Sequence, residues 1–288
     1  MTDWSGISFY IQYNWLDPIK PYIGHSIILL LLIIYEGITF GATPSSMQQF
    51  IERDPQLSFQ TKENPQVSNS MLAALSINIP IPFILFSVFV GFTSIRNEKI
   101  AKIKYLVWLV LSFAISLLAA SCITNTIKLL MGEPRPSFFD ICNYHGYSDA
   151  LKSGDFSLYD NITKAGRFGN IANCLNTKAD TGDAFMSFPS GHSSIMFTSM
   201  TFLSMVTKFT LSNTNCCFYG IELLVSFGSY ALATWVAVTR VQDYKHHTYD
   251  VFAGAILGVL IAYTVFESML CNIKKQNLGT QQIASSMV

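Results

Sequence analysis

The chain has 288 residues, of which half are hydrophobic and only 12% are charged, and its formal net charge at pH 7 is zero. This composition is typical of a polytopic membrane protein and argues against a soluble enzyme. A net charge of zero argues against a nucleic-acid partner. The length, together with the lack of a Pro/Ser-rich linker or an internal repeat, predicts a single membrane domain over residues 1–288.

Six windows are long and apolar enough to cross the hydrocarbon core of a phospholipid bilayer with some tilt. They predict an all-α fold with six transmembrane helices, over residues 26–42, 71–92, 105–130, 193–211, 217–238 and 251–271. Pro80 and Pro82 predict a kink in the second helix. The fourth window is rich in Ser and Thr, which predicts a helix buried among its neighbours.

The orientation of the helices follows from basic residues near the membrane. On one predicted side lie Arg96, Lys99, Lys102, Lys104, Lys208, Lys274 and Lys275. Because cytosolic loops carry an excess of Lys and Arg, we expect this side and both termini to be cytosolic. The first 22 residues lack a basic n-region and a cleavage site, so the first helix is expected to be an uncleaved anchor. The long loop between helices 3 and 4, residues 137–188, is then lumenal or extracellular.

This long loop carries a candidate disulfide and a candidate glycan. Cys142 and Cys174 both lie in the loop, and Asn161 opens the sequon Asn161-Ile162-Thr163. In a lumenal or extracellular loop a disulfide and an N-linked glycan are both chemically allowed. Zinc-type C-x-x-C pairs do not occur in the chain.

Two features inside the apolar windows are expected to serve packing. Gly254 and Gly258 form a small-xxx-small pair, which we expect to pack the sixth helix within the bundle, with a homo-oligomer contact as the alternative. Glu36, an acid inside the first window, is expected to bond to a neighbouring helix or to be held protonated, in preference to a transport role.

The third helix ends in a string that holds two cations. Gly132 and Pro134 are helix stop signals, so Lys128 lies in the last turn and Arg135 lies just beyond it. Taken singly, Lys128 could snorkel to the membrane interface and Arg135 could contact a lipid headgroup. Together they place two permanent charges on the predicted lumenal side.

The fourth helix begins with the string PSGH, residues 189–192. Ser190 is placed like an N-cap, Gly191 permits close approach of the backbone, and the helix start directs unpaired N–H groups outward. These features predict an anion site of the kind that phosphate uses, although Pro-Ser before a helix is also ordinary capping. His192 follows directly, and a histidine at this place points to chemistry beyond capping.

The string between the fifth and sixth helices holds Arg240, His246 and Asp250. The last two are four residues apart, which puts them on one helical face and lets the carboxylate bond one imidazole nitrogen. That bond would fix the tautomer and leave the other nitrogen free to attack. Asp250 would also stabilise the start of the sixth helix by its charge. His247 is expected to face elsewhere.

The predicted topology brings all three strings to one face of the membrane. Lys128, Arg135 and Arg240 then surround a helix N-terminus, together with two histidines and one carboxylate. Three cations in a partly desolvated pocket favour a dianion between them, and phosphate fits the guanidinium geometry. The same positive charge disfavours a divalent cation, so we expect no metal and no cofactor.

The three strings resemble the three-part signature of the type 2 phosphatidic acid phosphatase superfamily, in particular its membrane lipid phosphate phosphatases. The matching residues are Lys128-x6-Arg135-Pro136, Pro189-Ser190-Gly191-His192 and Arg240-x5-His246-x3-Asp250. The resemblance spans helices 3 to 6 and suggests a catalytic core over about residues 105–271. The family's third part usually starts Ser-Arg, whereas this chain has Thr239. Residues 135–142 and the loop after them are similar to fungal diacylglycerol pyrophosphate and phosphatidate phosphatases of the vacuole or Golgi.

The resemblance implies a metal-independent phosphohydrolase acting on phosphatidate, diacylglycerol pyrophosphate or lysophosphatidate. It also implies an active site at the lumenal or extracellular face of an endomembrane or the plasma membrane. His246 would attack phosphorus and form a phosphohistidine, Asp250 would orient it, and His192 would protonate the departing alkoxide and then activate water. The phosphoryl oxygens would be held by Lys128, Arg135, Ser190, Gly191 and Arg240.

Other functions stay open beside this one. A phosphatase of sphingoid-base phosphates, a polyprenyl pyrophosphatase or a head-group transferase would use the same fold, because one intermediate serves both hydrolysis and transfer. A transporter that recognises a phosphorylated lipid without cleaving it belongs to a different class. Transport sites lie near the midplane on broken helices, whereas these charges lie at helix ends, which favours the enzyme.

Overall fold

The structure is a computed structural model that describes residues 20–39, 41–62, 64–90, 98–212 and 219–285. Within these ranges the chain is helical and contains no β-strand. Extended backbone pairs only at two isolated bridges in the described chain, Ile51 with Phe168 and Tyr144 with Cys174. The all-α class predicted from the sequence is confirmed for these residues.

The described chain forms eleven α-helices. Before the long loop they are α1 (Lys20–Thr39), α2 (Asn69–Asn78), α3 (Pro80–Val90) and α4 (Glu98–Met131). The loop holds the short helices α5 (Phe138–Cys142), α6 (Tyr147–Ser153), α7 (Ser157–Ile162) and α8 (Lys178–Ala184). After it come α9 (Gly191–Ser212), α10 (Tyr219–Gln242) and α11 (Thr248–Ser285).

Five stretches of the described chain are long and apolar enough to cross a membrane. They are Tyr22–Thr39, Asn69–Val88, Ile103–Met131, Gly220–Gln242 and Thr248–Ile273. They correspond to the first, second, third, fifth and sixth predicted helices, so the chain is an integral membrane protein. The fourth predicted helix is present as α9 but is not among the five, because its many hydroxyl groups lower its hydropathy. A sixth span therefore stays a prediction.

The hydroxyl groups of α9 are buried between helices, as its composition predicted. α9 packs against α11, α10 and α4. Ser194 and Ser199 are fully buried, and their hydroxyls bond Thr124 of α4 at 2.9 Å and the Ser76 carbonyl of α2 at 2.6 Å. Since each hydroxyl finds a partner on another helix, α9 tolerates polar side chains at the centre of the bundle.

Gly254 and Gly258 bring α11 into close contact with α9. A Cβ atom on Gly254 would lie 2.5 Å from the Ser190 carbonyl oxygen, and one on Gly258 would lie 2.4 Å from the Ser194 carbonyl oxygen. Both distances are shorter than any real contact, so only glycine permits this approach. The pair packs within the bundle, as predicted, and it sets the start of α9 directly against α11.

The kink predicted from Pro80 and Pro82 is a break between two helices. α2 ends at Asn78 and α3 begins at Pro80, with Ile79 between them. Proline has no N–H to donate and cannot continue the hydrogen-bond pattern of α2, so the helix stops in front of it. Glu36 is likewise placed as expected, because it accepts hydrogen bonds from Ser121 at 2.7 Å and Asn125 at 2.8 Å on α4.

The predicted orientation depends on basic residues that lie mostly outside the part of the chain that the structure describes. Arg96 lies outside the described residues, and so do the side chains of Lys99 and Lys102. Residues 1–19 at the N-terminus also lie outside them. The cytosolic placement of both termini therefore stays a prediction.

Residues 41–62 and 133–188 pack together as a loop layer with its own apolar core. The core is aromatic, and its buried rings include Phe50, Phe138, Phe139, Tyr144 and Phe185. A disulfide joins Cys142 to Cys174 across 32 residues of this layer. The Asn161 side chain is exposed at the layer surface, where a glycan could be accommodated.

Candidate active site

Lys128 lies in the last turn of α4 and is only 8% exposed. Its ammonium donates hydrogen bonds to the Met186 and Ser187 carbonyls, the latter at 3.4 Å. The helix ends here because Gly132 adopts a φ of 56°, and a Cβ atom there would lie 1.6 Å from the Ser46 carbonyl oxygen. Lys128 is thereby fixed against the chain that leads into α9.

Arg135 links the loop layer to the string that precedes α11. Its backbone N–H donates to Ala184 at 2.8 Å, and its guanidinium donates to the Asp183 carboxylate at 2.7 Å. Its Nη1 donates to the Lys245 carbonyl at 3.2 Å. The first and third sequence strings are therefore in direct contact.

Arg240 lies in the last turn of α10 and is 3% exposed. Its guanidinium donates to Asp243 Oδ2 at 2.9 Å and to Thr239 Oγ1 at 3.1 and 3.2 Å. The Thr239 hydroxyl in turn donates to the Val236 carbonyl at 2.7 Å. A hydroxyl at residue 239 is thus a direct partner of Arg240, and threonine provides it as serine would.

The start of α9 brings Gly191 and His192 to the site. The Ser190 backbone N–H donates to the Asp250 carbonyl at 3.0 Å, which joins α9 to α11. Ser190 directly precedes α9, in the N-cap position expected from the sequence, but its buried hydroxyl has no hydrogen-bond partner in the described chain. The Val67 backbone accepts a hydrogen bond from the His192 imidazole, and His192 Nε2 has no partner among the described residues.

His246 and Asp250 are close, although not on one helix as the spacing predicted. α11 begins at Thr248, so His246 lies in the turn before it. Its Nδ1 is 3.6 Å from Asp250 Oδ2, which is longer than a hydrogen bond. The same oxygen accepts hydrogen bonds from Ser187 Oγ at 2.6 Å and from the His247 backbone N–H at 2.8 Å. Asp250 therefore caps the start of α11, and this fixes its distance from His246.

The environment of His246 keeps its imidazole neutral. The residue is 5% exposed, and burial holds the pKa of the ring well below its usual value. The Asp250 carboxylate opposes this effect, while the charges of Lys128 and Arg135 add to it. A neutral imidazole is the form that can act as a nucleophile.

His247 lies on the other side of Asp250. Its Nδ1 is 3.4 Å from Asp250 Oδ2 and 3.9 Å from Glu133, and its ring stacks on Tyr249 with centroids 5.1 Å apart. His247 does not line the cavity at His246. The expectation that it faces elsewhere therefore agrees with the structure, but its contact with Asp250 was not expected.

A cavity of about 470 Å³ lies where the three strings meet. Six of the predicted site residues line it: Lys128, Arg135, Gly191, His192, Arg240 and His246. Ser190 and Asp250 are buried and do not line it. The cavity is large enough for a phosphoryl group together with part of a headgroup.

Several lining residues were missed by the sequence reasoning. Lys245 and Asp183 line the cavity, and so do Pro65, Val67 and Ser68 from the chain before α2 and Asn69 at the start of α2. Burial, together with the nearby charge of Arg135, lowers the pKa of the Lys245 ammonium. Lys245 is adjacent to His246 in sequence, so a count of the cations in that string would have found it. The residues before α2 carry no charge pattern that marks them.

Three side chains of metal-binding type meet beside the cavity. Potential ligand atoms of Glu133, His247 and Asp250 lie within 4.8 Å of one another. Asp250 Oδ2 is already bonded to Ser187, and Glu133 accepts a hydrogen bond from the Tyr249 hydroxyl. Burial raises the pKa of the Glu133 carboxyl. The expectation of a metal-free site therefore stays a prediction, which chelation can test.

The fold and the cavity define an integral membrane protein with a cation-lined, two-histidine site at the ends of its helices. The chain belongs to the PAP2 superfamily, whose family model matches residues 105–274.

Curated relatives extend over most of the chain. It is 30% identical to lipid phosphate phosphatase 2 of Arabidopsis thaliana, over 82% of this chain and 73% of that protein. It is 27% identical to the probable diacylglycerol pyrophosphate phosphatase 1 of Schizosaccharomyces pombe, over 80% of this chain and 75% of that protein. Identity to phospholipid phosphatase 2 of Homo sapiens is 31%, over 52% of this chain and 47% of that protein. No solved structure matches.

Proposed function

We propose that the protein is a phosphatase that hydrolyses lipid phosphate esters without a metal ion, through a phosphohistidine intermediate. One observation carries the proposal: two histidines and the three cations of the sequence strings line a single cavity at the helix ends, namely His192, His246, Lys128, Arg135 and Arg240. Membership of the PAP2 superfamily and the names of the relatives support a phosphatase with a lipid phosphate substrate.

In the first step His246 Nε2 attacks phosphorus. The bond from phosphorus to the leaving oxygen breaks, its electron pair goes to that oxygen, and His192 supplies the proton from its imidazolium form. Burial and the charge of Arg240 lower the pKa of His192 to about 4, and the negative charge of a bound phosphate acts in the opposite direction. Asp250 faces Nδ1 of His246 and stabilises the positive charge that the ring gains. General acid help of this kind typically accelerates a reaction by about 10²- to 10⁴-fold.

In the second step water hydrolyses the intermediate. His192, now neutral, accepts a proton from water while the water oxygen attacks phosphorus. The bond from phosphorus to Nε2 of His246 breaks, and inorganic phosphate leaves. The cycle returns both histidines to their starting protonation states, and no other reactant is consumed.

Charge stabilisation is the main contribution of the remaining groups. Lys128, Arg135 and Arg240 would hold the phosphoryl oxygens, together with the backbone N–H of Gly191 at the start of α9. The Ser190 hydroxyl does not line the cavity, but it is buried beside this helix start without a partner in the described chain, so it is a further candidate donor to phosphate. Phosphoryl transfer depends mainly on such positioning and electrostatic stabilisation.

The proposed substrates are phosphatidate, diacylglycerol pyrophosphate and lysophosphatidate. Their phosphate groups lie at the membrane surface, and the cavity is built from residues at helix ends, so a lipid could present its headgroup without leaving the bilayer. The positive-inside pattern predicts that this face lies in the lumen or outside the cell. A vacuolar, Golgi or other endomembrane location, or the plasma membrane, is compatible with that placement.

The proposal is tested with purified protein in detergent micelles that contain phosphatidate and EDTA. We expect phosphate release in the chelator at the same rate as without it. His246→Ala and His192→Ala should each abolish turnover, since one removes the nucleophile and the other the acid.

His247→Ala is the matched control, because this histidine neighbours Asp250 but does not line the cavity. It should keep most of the activity. Loss of turnover in EDTA, or a dead His247→Ala variant with an active His246→Ala variant, would overturn the assignment.

A further inference from the structure

Residues 64–69, here called the wall segment, form one side of the cavity. Pro65, Val67, Ser68 and Asn69 line it, and Val67 is fully buried. The wall segment lies outside residues 105–274, the region matched by the family model. The catalytic cavity is therefore completed by a part of the chain that the three-part signature does not include.

A single buried carboxylate holds the wall segment in place. Asp243 is fully buried and accepts hydrogen bonds from the Gln66 backbone N–H at 2.9 Å and from Gln66 Nε2 at 3.1 Å. Lys62 Nζ donates to the same carboxylate at 3.2 Å. Residues separated by more than 170 positions in sequence are thus joined beside the site.

The same carboxylate orients Arg240. Arg240 Nη2 donates to Asp243 Oδ2 at 2.9 Å, and this oxygen also accepts from the Gln66 backbone. Burial raises the pKa of the Asp243 carboxyl, but the hydrogen bonds from Gln66 and Lys62 and the Arg240 charge outweigh burial and lower it overall. Asp243 is therefore ionised at neutral pH and pairs the Arg240 guanidinium, which is only 3% exposed.

The wall segment also contacts the proposed general acid. The Val67 backbone accepts a hydrogen bond from the His192 imidazole, which leaves Nε2 of that ring without a partner in the described chain. A shift of the wall segment would therefore move both a phosphate-binding cation and the proton donor. Small errors in position at a reacting centre can cost about 10²-fold in rate.

We propose that Asp243 is a positioning residue, which fastens the wall segment over the cavity and aims the Arg240 guanidinium at the phosphoryl group. Asp243 does not line the cavity, so it acts through Arg240 and Gln66. This inference rests on the proposed phosphatase activity, and it adds a residue that the signature leaves out.

The test is a double-mutant cycle between Asp243→Asn and Arg240→Gln, with phosphatidate in micelles as the substrate. Removing one preorganised donor to a developing charge typically costs about 10²- to 10³-fold in kcat, and we expect Asp243→Asn to approach the lower figure. In the Arg240→Gln background the same change should lower kcat by a clearly smaller factor, because the part of its effect that acts through Arg240 is already lost and only the part that acts through the wall segment remains. The Ki of orthovanadate, a phosphate mimic, should rise with Asp243→Asn.

Glu52→Gln is the matched control. Glu52 is also a buried carboxylate, 2% exposed, and it accepts from the Lys164 N–H at 2.8 Å, the Tyr144 hydroxyl at 2.9 Å and Arg167 at 2.8 Å in the loop layer. Its loss should lower the unfolding temperature and leave the kcat/KM of the folded protein within about twofold, as expected for independent sites. If the Asp243→Asn protein does not fold, Gln66→Ala replaces it in the same cycle. Its expected loss of kcat is smaller than that expected for Asp243→Asn.

The outcomes separate the two proposals. If Asp243→Asn lowers kcat by the same factor in both backgrounds, or lowers it in neither, the positioning role is overturned. The phosphatase activity of the wild-type protein stands in both cases. Absence of phosphate release by the wild-type protein overturns the proposed function itself.

Discussion

Ser187 Oγ donates a hydrogen bond to Asp250 Oδ2 at 2.6 Å, whereas His246 Nδ1 lies 3.6 Å from the same oxygen. The carboxylate that orients the proposed nucleophile is thus itself held by a residue from the chain before α9. Ser187 belongs to none of the three sequence strings. Its contact makes the placement of Asp250 depend on the loop layer as well as on α11.

We expect Ser187→Ala to lower kcat by roughly three- to tenfold, which corresponds to the loss of about 1 kcal/mol, the net contribution of one hydrogen bond. KM should change little, because Ser187 does not line the cavity. Ser193→Ala is the control, because the Ser193 hydroxyl also donates a hydrogen bond to α11, to the Val251 carbonyl at 2.7 Å. Equal losses of kcat in both variants would contradict a specific role for Ser187.

Close packing of α9 and α11 predicts a strong effect at Gly258. In an exposed helix, Gly→Ala is favourable by about 1 kcal/mol. At Gly258 a Cβ atom would lie 2.4 Å from the Ser194 carbonyl oxygen, so the helices must separate. We expect Gly258→Ala to lower the unfolding temperature in detergent and to reduce activity, since α9 and α11 carry His192 and Asp250.

Gly228→Ala on α10 is the matched control for this prediction, because nothing lies within 4 Å of the position of its Cβ atom. It should be neutral or stabilising. A stabilised Gly258→Ala protein with normal kcat would contradict the close approach of the two helices.

The helices were largely predictable from hydropathy because apolar length is a local property. Five of the predicted spans match apolar stretches of the described chain. α9 shows where local composition fails, since the hydroxyls of Ser194 and Ser199 find hydrogen-bond partners on α4 and α2. Such partners are decided by tertiary packing, which no window of sequence contains.

The cations and histidines of the site were predictable because charged side chains at membrane helix ends are conspicuous. Asp250 was found, but its distance from His246 was not, because the start of α11 had to be known. The link from Gln66 to Asp243 could not be predicted, since a glutamine in a polar loop carries no signal of a partner 177 positions away. Contacts between distant polar residues are the part of the site that only the fold reveals.

The buried state of His246 predicts the pH dependence of the reaction. The pKa of its imidazole is held well below the usual value by burial, with Asp250 opposing and Lys128 and Arg135 reinforcing the shift. The neutral nucleophile therefore persists as pH falls and is lost only when pH passes below this lowered pKa. We expect the acid limb of kcat/KM to lie below about pH 6.5, the ordinary pKa of histidine.

The measurement is a profile of kcat/KM against pH. It is corrected for the second ionisation of the substrate phosphate, whose pKa is measured by phosphorus NMR in the same micelles. An acid limb at or above the ordinary histidine pKa would show that His246 is not the buried neutral nucleophile. Asp250→Asn should move the limb to still lower pH, because it removes the group that opposes the shift.

Lys245 predicts a preference among lipid phosphates. It lines the cavity, and in the described chain its ammonium forms no ion pair, whereas Arg135 pairs with Asp183 and Arg240 with Asp243. One phosphoryl group can be served by the cations of the signature, so an additional unpaired cation favours a substrate with additional negative charge. We expect Lys245→Met to lower kcat/KM more for diacylglycerol pyrophosphate than for phosphatidate, by a further factor of about ten, which corresponds to roughly 1.4 kcal/mol.

The ratio of kcat/KM for these two lipids is the diagnostic quantity, because a general loss of folded protein leaves it unchanged. Lys152→Met removes an exposed lysine of α6 in the loop layer and serves as the control for lost charge. Lys245→Arg keeps the positive charge, so the kcat/KM ratio of the two lipids should stay close to that of the wild-type protein. Equal losses for both lipids in Lys245→Met would mean that this cation serves the transferred phosphoryl group, and the cavity would then have no preference for a second phosphate at this position.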